Sequence, residues 1–357
     1  MGLIRSIKKK IIIGQMEKKK KANPFIIDYS DNYELPATAG NDINNSHYFS
    51  AHSMSGKECL FFRLAVRGGD AKDEVWLTYR DTDNNVYMAA ADHISKSESL
   101  PARVECIEAG KTLRFYYNGT VKKAISKNDG YYPDEKAKPL NIILEAEFTG
   151  LTVPFEFSRH LSSEPMGRTL SQEKWTKAFL ASLKEHHQVH YEQAGLVTAT
   201  IILDGKKTLL EKIPTFRDHS YGKRDWDYFD RHLWLVGILE NGDFIHTSLI
   251  RYPLLNQITA GFYQWDDKTK SILSATKMDS IPTIGKVPDK FEFDATYIDG
   301  QTKHIKCKLD FACPYSFGSG QYTIYEGVSS FEVDGIKGRG ITEFGFNKNK
   351  SRWFRGK

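Results

Sequence analysis

The chain's 357 residues are enough for two domains, each burying its own core, at roughly 100–200 residues per domain. A hydrophobic share of 40% against 27% charged residues excludes a disordered or membrane-embedded chain, and 13% aromatics with 27 Gly favour packed sheets and tight turns over helix bundles. The net charge of +5 is local, because residues 1–21 hold eight Lys or Arg against one Glu; the rest is slightly acidic, so nucleic acid is not an expected partner.

The first segment, residues 1–22, reads as a basic tail. Met1-Gly2-Leu3-Ile4-Arg5-Ser6 fits the pattern for acylation at Gly2 once Met1 is removed. Leu3, Ile4, Ile7 and Ile11 share one helical face, with Lys8, Lys9 and Lys10 beside them and Lys18–Lys21 beyond. An acyl chain and a cationic cluster together suffice for reversible binding to an anionic membrane surface. A disordered, unmodified tail is the alternative.

No apolar run approaches the ~18–20 residues that span a bilayer, and residues 1–21 lack the core and cleavage site of a secretory signal. Cys59, Cys106, Cys307 and Cys313 are too few and scattered for a disulfide framework, and no CxxC pair occurs. Four reduced thiols in the cytoplasm are expected, with Cys307 and Cys313 on the same buried face of one strand.

Short segments rich in Phe, Tyr, Val and Ile then alternate with turn signals. Strands are expected at Cys59–Arg67, Glu74–Arg80, Val86–Ala90, Ala102–Ile107, Leu113–Tyr117, Leu140–Phe148 and Leu151–Phe157. A helical repeat follows, with Trp175, Ala178, Phe179, Ser182 and Leu183 on one side and a capping box from Thr169 to Gln172. This helix is expected to bridge two β domains, residues 23–185 and 186–357. The second then holds strands at Val197–Leu203, Leu233–Leu239, Phe244–Arg251, Ile258–Trp265, Phe291–Ile298, His304–Phe311, Tyr322–Glu332 and Gly340–Phe346. Asn118-Gly119, Asp129-Gly130, Asp204-Gly205, Asn241-Gly242, Asp299-Gly300 and Asp334-Gly335 tolerate the positive φ of hairpin turns, so antiparallel connections are expected throughout.

The densest polar run is Arg217-Asp218-His219-Ser220-Tyr221-Gly222-Lys223-Arg224-Asp225-Trp226. If it is a loop turned inward, Asp218 fixes the tautomer of His219, the imidazole donates a proton, and Tyr221 and Trp226 offer π faces to an unsaturated or cationic substrate. The same run also reads as a charged surface loop whose Arg and Asp pair with one another. His186 and His190 stand at i, i+4, but an exposed helix end needs no metal to explain its histidines, and none is expected. Glu192 and Gln193 enter a strand that lines a barrel or lies on its surface. Gly318-Ser319-Gly320 and Gly338-Arg339-Gly340 lack the context of a phosphate loop, and no Gly-x-Ser-x-Gly elbow occurs.

Arg217-Asp218-His219-Ser220-Tyr221-Gly222 resembles the Asp-His-x-Trp-Gly signature of the AttH-like superfamily, which includes carotenoid 1,2-hydratases, certain fungal Diels–Alderases and the fungal survival-factor proteins. His190-Tyr191-Glu192-Gln193, Tyr325-Glu326-Gly327 and Gly338-Arg339-Gly340-Ile341-Thr342-Glu343-Phe344 look like further pieces of its C-terminal half. The resemblance implies an all-β fold of two tandem lipocalin-like antiparallel barrels. It also implies proton donation by His219, with Tyr221 where the hydratases carry Trp. Their downstream Tyr-x-Asp pair has no counterpart; the region reads Phe244-Ile245-His246-Thr247-Ser248, making His246 a candidate ligand contact.

The expected catalytic residues are thus His219, Asp218 and Tyr221, and the expected ligand contacts are Arg217, Arg224, Trp226, Glu192, Gln193 and His246. Two functions fit. One is a lyase, isomerase or cyclase that uses no cofactor and acts on an apolar, isoprenoid-like substrate. The other is a non-enzymatic lipid-binding or lipid-transfer protein at membranes.

Overall fold

A computed structural model describes residues 2–89, 93–177, 179–181, 188–253, 257–266, 268–281 and 287–349. The chain divides into two compact units, one of residues 26–155 and 188–224, the other of residues 1–25, 156–187 and 225–357.

The first unit begins with the short helix α2 (Ile27–Asp31), which follows α1 (Gly2–Ala22) in the chain. Its strands are β1 (Ile43–His52), β2 (Cys59–Arg67), β3 (Asp73–Arg80), β4 (Val86–Ala89), β5 (His93–Ile94), β6 (Ala102–Glu108), β7 (Thr112–Lys127), β8 (Gly130–Pro133), β9 (Leu140–Gly150), β11 (Gln188–Leu203) and β12 (Lys206–Lys223). The two-residue β10 (Phe155–Glu156) stands at the boundary. Antiparallel pairing runs β11-β12-β1-β2-β3-β4-β7, and β9 pairs with both β7 and β11. Those eight strands therefore close a ring, which leaves no open edge among them. Inside it Phe49, Phe62, Phe115 and Phe148 pack ring against ring, with Val197, Ala199 and Ile201 of β11 in the same core.

The second unit holds a closed antiparallel barrel of β13 (Arg231–Leu239), β14 (Phe244–Arg251), β15 (Ile258–Trp265), β16 (Lys268–Thr276), β17 (Lys290–Tyr297), β18 (Thr302–Phe317), β19 (Tyr322–Val333) and β20 (Ile336–Asn347). The same unit contains α1, the four-residue α3 (Phe157–His160) and α4 (Ser163–Gln172). Ile12 of α1 is buried with Leu170, Phe179 and Ile258, and Met16, Met166 and Trp175 pack around them.

The all-β, two-barrel expectation holds, and several local expectations do not. Residues 188–224 belong to the first barrel rather than to a domain starting at 186, because β11 and β12 form a long hairpin through Asp204-Gly205 and complete that ring. The chain thus leaves the first barrel at residue 156 and returns to it, and the helical stretch is an insertion between strands of one barrel. Its helix α4 is N-capped by Ser162, whose hydroxyl accepts from Glu164 N–H; Thr169 lies inside it, and residues 178 and 182–187, including Ser182, Leu183, His186 and His187, lie outside the described residues. Asn118-Gly119 is no turn, since β7 runs straight through it, and of Leu151–Phe157 only Phe155 and Glu156 are strand. Cys307 and Cys313 are both buried, but the β18–β19 ladder slips between Leu309 and Phe311. That bulge reverses the alternation, so Cys307 and Ala312 share the barrel core and Cys313 does not.

Candidate functional site

The site grows from three neighbouring strands whose inner faces are polar at one end of the first barrel. On β12 the alternation places Arg217, His219 and Tyr221 inward, and Asp218 and Ser220 on the reverse face. Directly opposite on β11 stand Gln193, facing Arg217, and Tyr191, facing His219. On β1, Asn45 pairs with Tyr221 and His47 with His219. Helix α2 supplies Ser30 and Asp31 from the end of the ring.

Asp31 and Arg217 form a fully buried two-pronged ion pair, Nη1 to Oδ1 at 2.6 Å and Nη2 to Oδ2 at 3.0 Å. Further hydrogen bonds surround the pair, as burying charges requires. Gly110 N–H donates to Asp31 Oδ2 at 2.7 Å, and Arg217 Nε donates to Gln193 Oε1 at 2.8 Å. Gln193 Nε2 then donates to the carbonyls of Gly110 and Thr152, both at 2.7 Å. The guanidinium also lies 5.4 Å from the Tyr191 ring and 5.6 Å from that of Phe148. Burial opposes ionisation of Asp31, but Arg217, Tyr191 and Gly110 outweigh it and hold the carboxyl below its ordinary range.

His219 sits at the end of this network with both nitrogens engaged. Asn45 Nδ2 donates to the Tyr33 carbonyl at 2.9 Å, which turns Asn45 Oδ1 to His219 Nε2 at 2.7 Å and makes Nε2 a donor. The Tyr191 hydroxyl stands 2.7 Å from Nδ1 and 2.6 Å from Asp31 Oδ1. One phenolic hydrogen therefore faces two acceptors while His219 is neutral and Asp31 ionised. Burial, reinforced by His47, Arg217 and His190, drives the His219 pKa well down, so this is the resting state. The chain is one proton short, and a proton reaching Nδ1 completes both contacts, imidazole to phenol and phenol to carboxylate.

His47 stacks on His219 with ring centroids 3.8 Å apart and planes 25° apart. Desolvation lowers its pKa to about 4, so the ring is neutral at physiological pH. Its Nδ1 is buried and makes no hydrogen bond among the described residues, while the residue as a whole is half-buried and His219 fully buried. Tyr221 continues the wall, its ring 3.9 Å from that of Tyr33 and its hydroxyl 3.1 Å from Ser30 Oγ.

Of the residues singled out in the sequence, the structure brings His219, Tyr221, Arg217 and Gln193 together. Asp218 does not fix the His219 tautomer, because adjacent strand residues point to opposite faces; that role falls to Tyr191 and Asn45. Asp218 pairs in register with Glu192 on the reverse side, beside His190, whose Nε2 lies 3.6 Å from Glu192 Oε1. Burial works against the His190 cation, yet Asp218 and Glu192 prevail and raise its pKa. Arg224 stands beyond the end of β12 and donates to Ser220 Oγ at 3.3 Å. Trp226 and His246 belong to the other unit, Trp226 beside Phe317 and Tyr322, His246 beside Trp234 and Phe262.

Sequence reasoning missed Asp31, Asn45, His47 and Tyr191 as site residues. The period-two spacing of Tyr191 with Gln193 was a usable signal; nothing local marks Asp31. Among the described residues no three His, Cys, Asp or Glu side chains group as a metal site, and no helix is long and apolar enough to cross a membrane.

Two closed antiparallel barrels in one chain define a tandem lipocalin-like architecture. The chain belongs to the family described as domain of unknown function DUF7064, whose model matches residues 28–348. A candidate AttH from Nitrosomonas europaea shares the fold, with a TM-score of 0.50 and 13% identity over 88% of this chain and 97% of that one. Kievitone hydratase from Nectria haematococca does so with a TM-score of 0.52 and 9% identity, over 89% and 94% of the two chains. The AttH-like fold expected from the motifs is thus present. No curated protein matches the sequence.

Proposed function

We propose that this protein is an enzyme that moves a proton at an apolar, unsaturated substrate without a cofactor, as a lyase or isomerase of the hydratase type. The observation that carries the reading is the stacked pair of imidazoles, one satisfied at both nitrogens and the other not. His47 is assigned as the base that meets the substrate or its attacking water. His219, whose nitrogens are both held by protein groups, becomes a positioning residue rather than the acid expected from the motif. Its ring is the fixed face against which His47 lies, and the Tyr191–Asp31 chain behind it offers a place for a proton. The proton taken by His47 from water or from a C–H returns to the substrate in the same turnover, so addition of water or migration of a double bond balances without a redox partner. That one protein of the same fold is a hydratase supports the class and names no substrate for this chain.

Ligands extracted from the purified protein and identified by mass spectrometry supply the test molecules. Returned to stripped protein in D₂O, a substrate is expected to gain the mass of one D₂O or to exchange hydrogen for deuterium, and His47→Gln is expected to slow this by about 10²–10⁴-fold. Recovery of every extracted molecule unchanged and undeuterated overturns the reading and leaves lipid carriage, the second function, which the exposed apolar stripe of α1 favours.

A further inference from the structure

The basic N-terminal segment forms a helix clamped to the fold, and its clamp and its apolar stripe lie on different sides. Ile12 and Met16 face α4, the Ile13 side chain lies against Gly167, and Lys9 Nζ pairs with Glu164 Oε1 at 2.5 Å. Lys8 Nζ donates to the Glu173 carbonyl at 2.9 Å, Lys20 Nζ to that of Leu161 at 2.5 Å, and Glu17 bonds Ser163. At 100° per residue, Leu3, Ile4, Ile7 and Ile11 project roughly opposite Ile12 and Met16. They are exposed, from 76% at Leu3 to 45% at Ile11. Lys10, Lys18 and Lys21 flank or extend that stripe and are exposed too.

We infer that α1 is an in-plane membrane anchor: its outward stripe enters the headgroup–acyl boundary of an anionic bilayer while its inward face stays on α4. The chemistry selects the partner. Four large aliphatic side chains with lysines at their border suit a surface that is apolar beneath and anionic above, and the helix carries eight cations against Glu17 as its one acid. The clamp gives the anchor something a flexible tail lacks, because the unit that carries α4 is held in a set orientation to the membrane. An acyl chain at Gly2 would add to the hold at the end of the helix where the stripe begins.

The test is sedimentation of the full-length, unacylated protein with phosphatidylcholine vesicles, with and without phosphatidylserine. Binding is expected to the phosphatidylserine vesicles and to weaken at least about tenfold in Ile4→Ser/Ile7→Ser and in Lys10→Gln/Lys18→Gln, variants that are expected to melt with the wild-type protein in the absence of vesicles. Failure of the wild-type protein to bind phosphatidylserine vesicles overturns the inference, as does equal binding by the Ser variant or equal binding to vesicles lacking phosphatidylserine. Self-association that the Ser variant abolishes, without vesicle binding, assigns the stripe to a second copy of the chain instead.

Discussion

The Tyr191 hydroxyl stands between two acceptors, 2.7 Å from His219 Nδ1 and 2.6 Å from Asp31 Oδ1, across the β11–β12 ladder that sets Tyr191 opposite His219. A phenylalanine at this position keeps the ring and removes the only hydrogen the two can share. Tyr191→Phe is expected to leave Arg217 on Asp31, to cost about 1–3 kcal/mol by stranding buried acceptors, and to change the ring-nitrogen shifts of His219. Denaturant titration and ¹⁵N-histidine spectra check the two effects. Unchanged His219 shifts would mean that the phenol does not govern that imidazole.

The Asp31–Arg217 pair predicts an asymmetry between single and double substitution. Arg217→Met leaves a buried carboxylate without its cation and is expected to cost about 3–5 kcal/mol; Asp31→Asn is expected to be nearly as costly for the converse reason. The double variant Asp31→Asn/Arg217→Met should recover part of that loss, since neither charge is then stranded. A complete double-mutant cycle by chemical denaturation measures the coupling.

Acid stability carries the signature of the two neutral imidazoles. The folded pKa of His47 lies near 4 and that of His219 well below 6.5, so below about 6.5 the unfolded chain binds more protons than the folded one. Their contribution is complete above that pH and is lost as pH falls toward 4. Asp31, also depressed, adds a loss that begins below about 4. His190 has the opposite sign: its pKa is raised, so its contribution is full below about 6.5 and lost as pH rises through its folded value. Unfolding free energy measured from pH 7 to pH 4 should fall more shallowly in His47→Gln than in wild type.

The docking of α1 predicts that the N-terminal segment contributes to stability, as a disordered tail would not. Ile12→Ala removes a side chain packed on Leu170, Phe179 and Ile258, at an expected cost of about 1–3 kcal/mol. Removal of residues 1–22 is expected to lower the melting temperature further, because the salt bridge to Glu164 leaves with it. A truncated protein that melts with the full chain would show α1 to be energetically idle.

The sequence by itself determined the all-β class, the turns at Asp204-Gly205, Asn241-Gly242, Asp299-Gly300 and Asp334-Gly335, and most strands whose alternation is apolar, because φ preference and period-two burial are local properties. It also singled out His219 and Arg217 by motif. It did not reveal β1 or β12, the two strands that carry most of the site. Their inner faces hold Asn45 and His47, or Arg217, His219 and Tyr221, so the hydrophobic period that marks a strand is missing where the strand is functional, and Arg217–Trp226 reads as a loop. Taking that run as a strand reverses the role of Asp218 at once, since neighbours along a strand cannot share a face. The tertiary structure alone brought Asp31, 186 residues before Arg217 in the chain, onto the guanidinium, and Asn45 and His47 onto His219. Ring closure decides those meetings: which β1 residue faces which β12 residue is set by pairing register and by the packing of Phe49, Phe115 and Phe148 beneath, and no local stretch of sequence contains either.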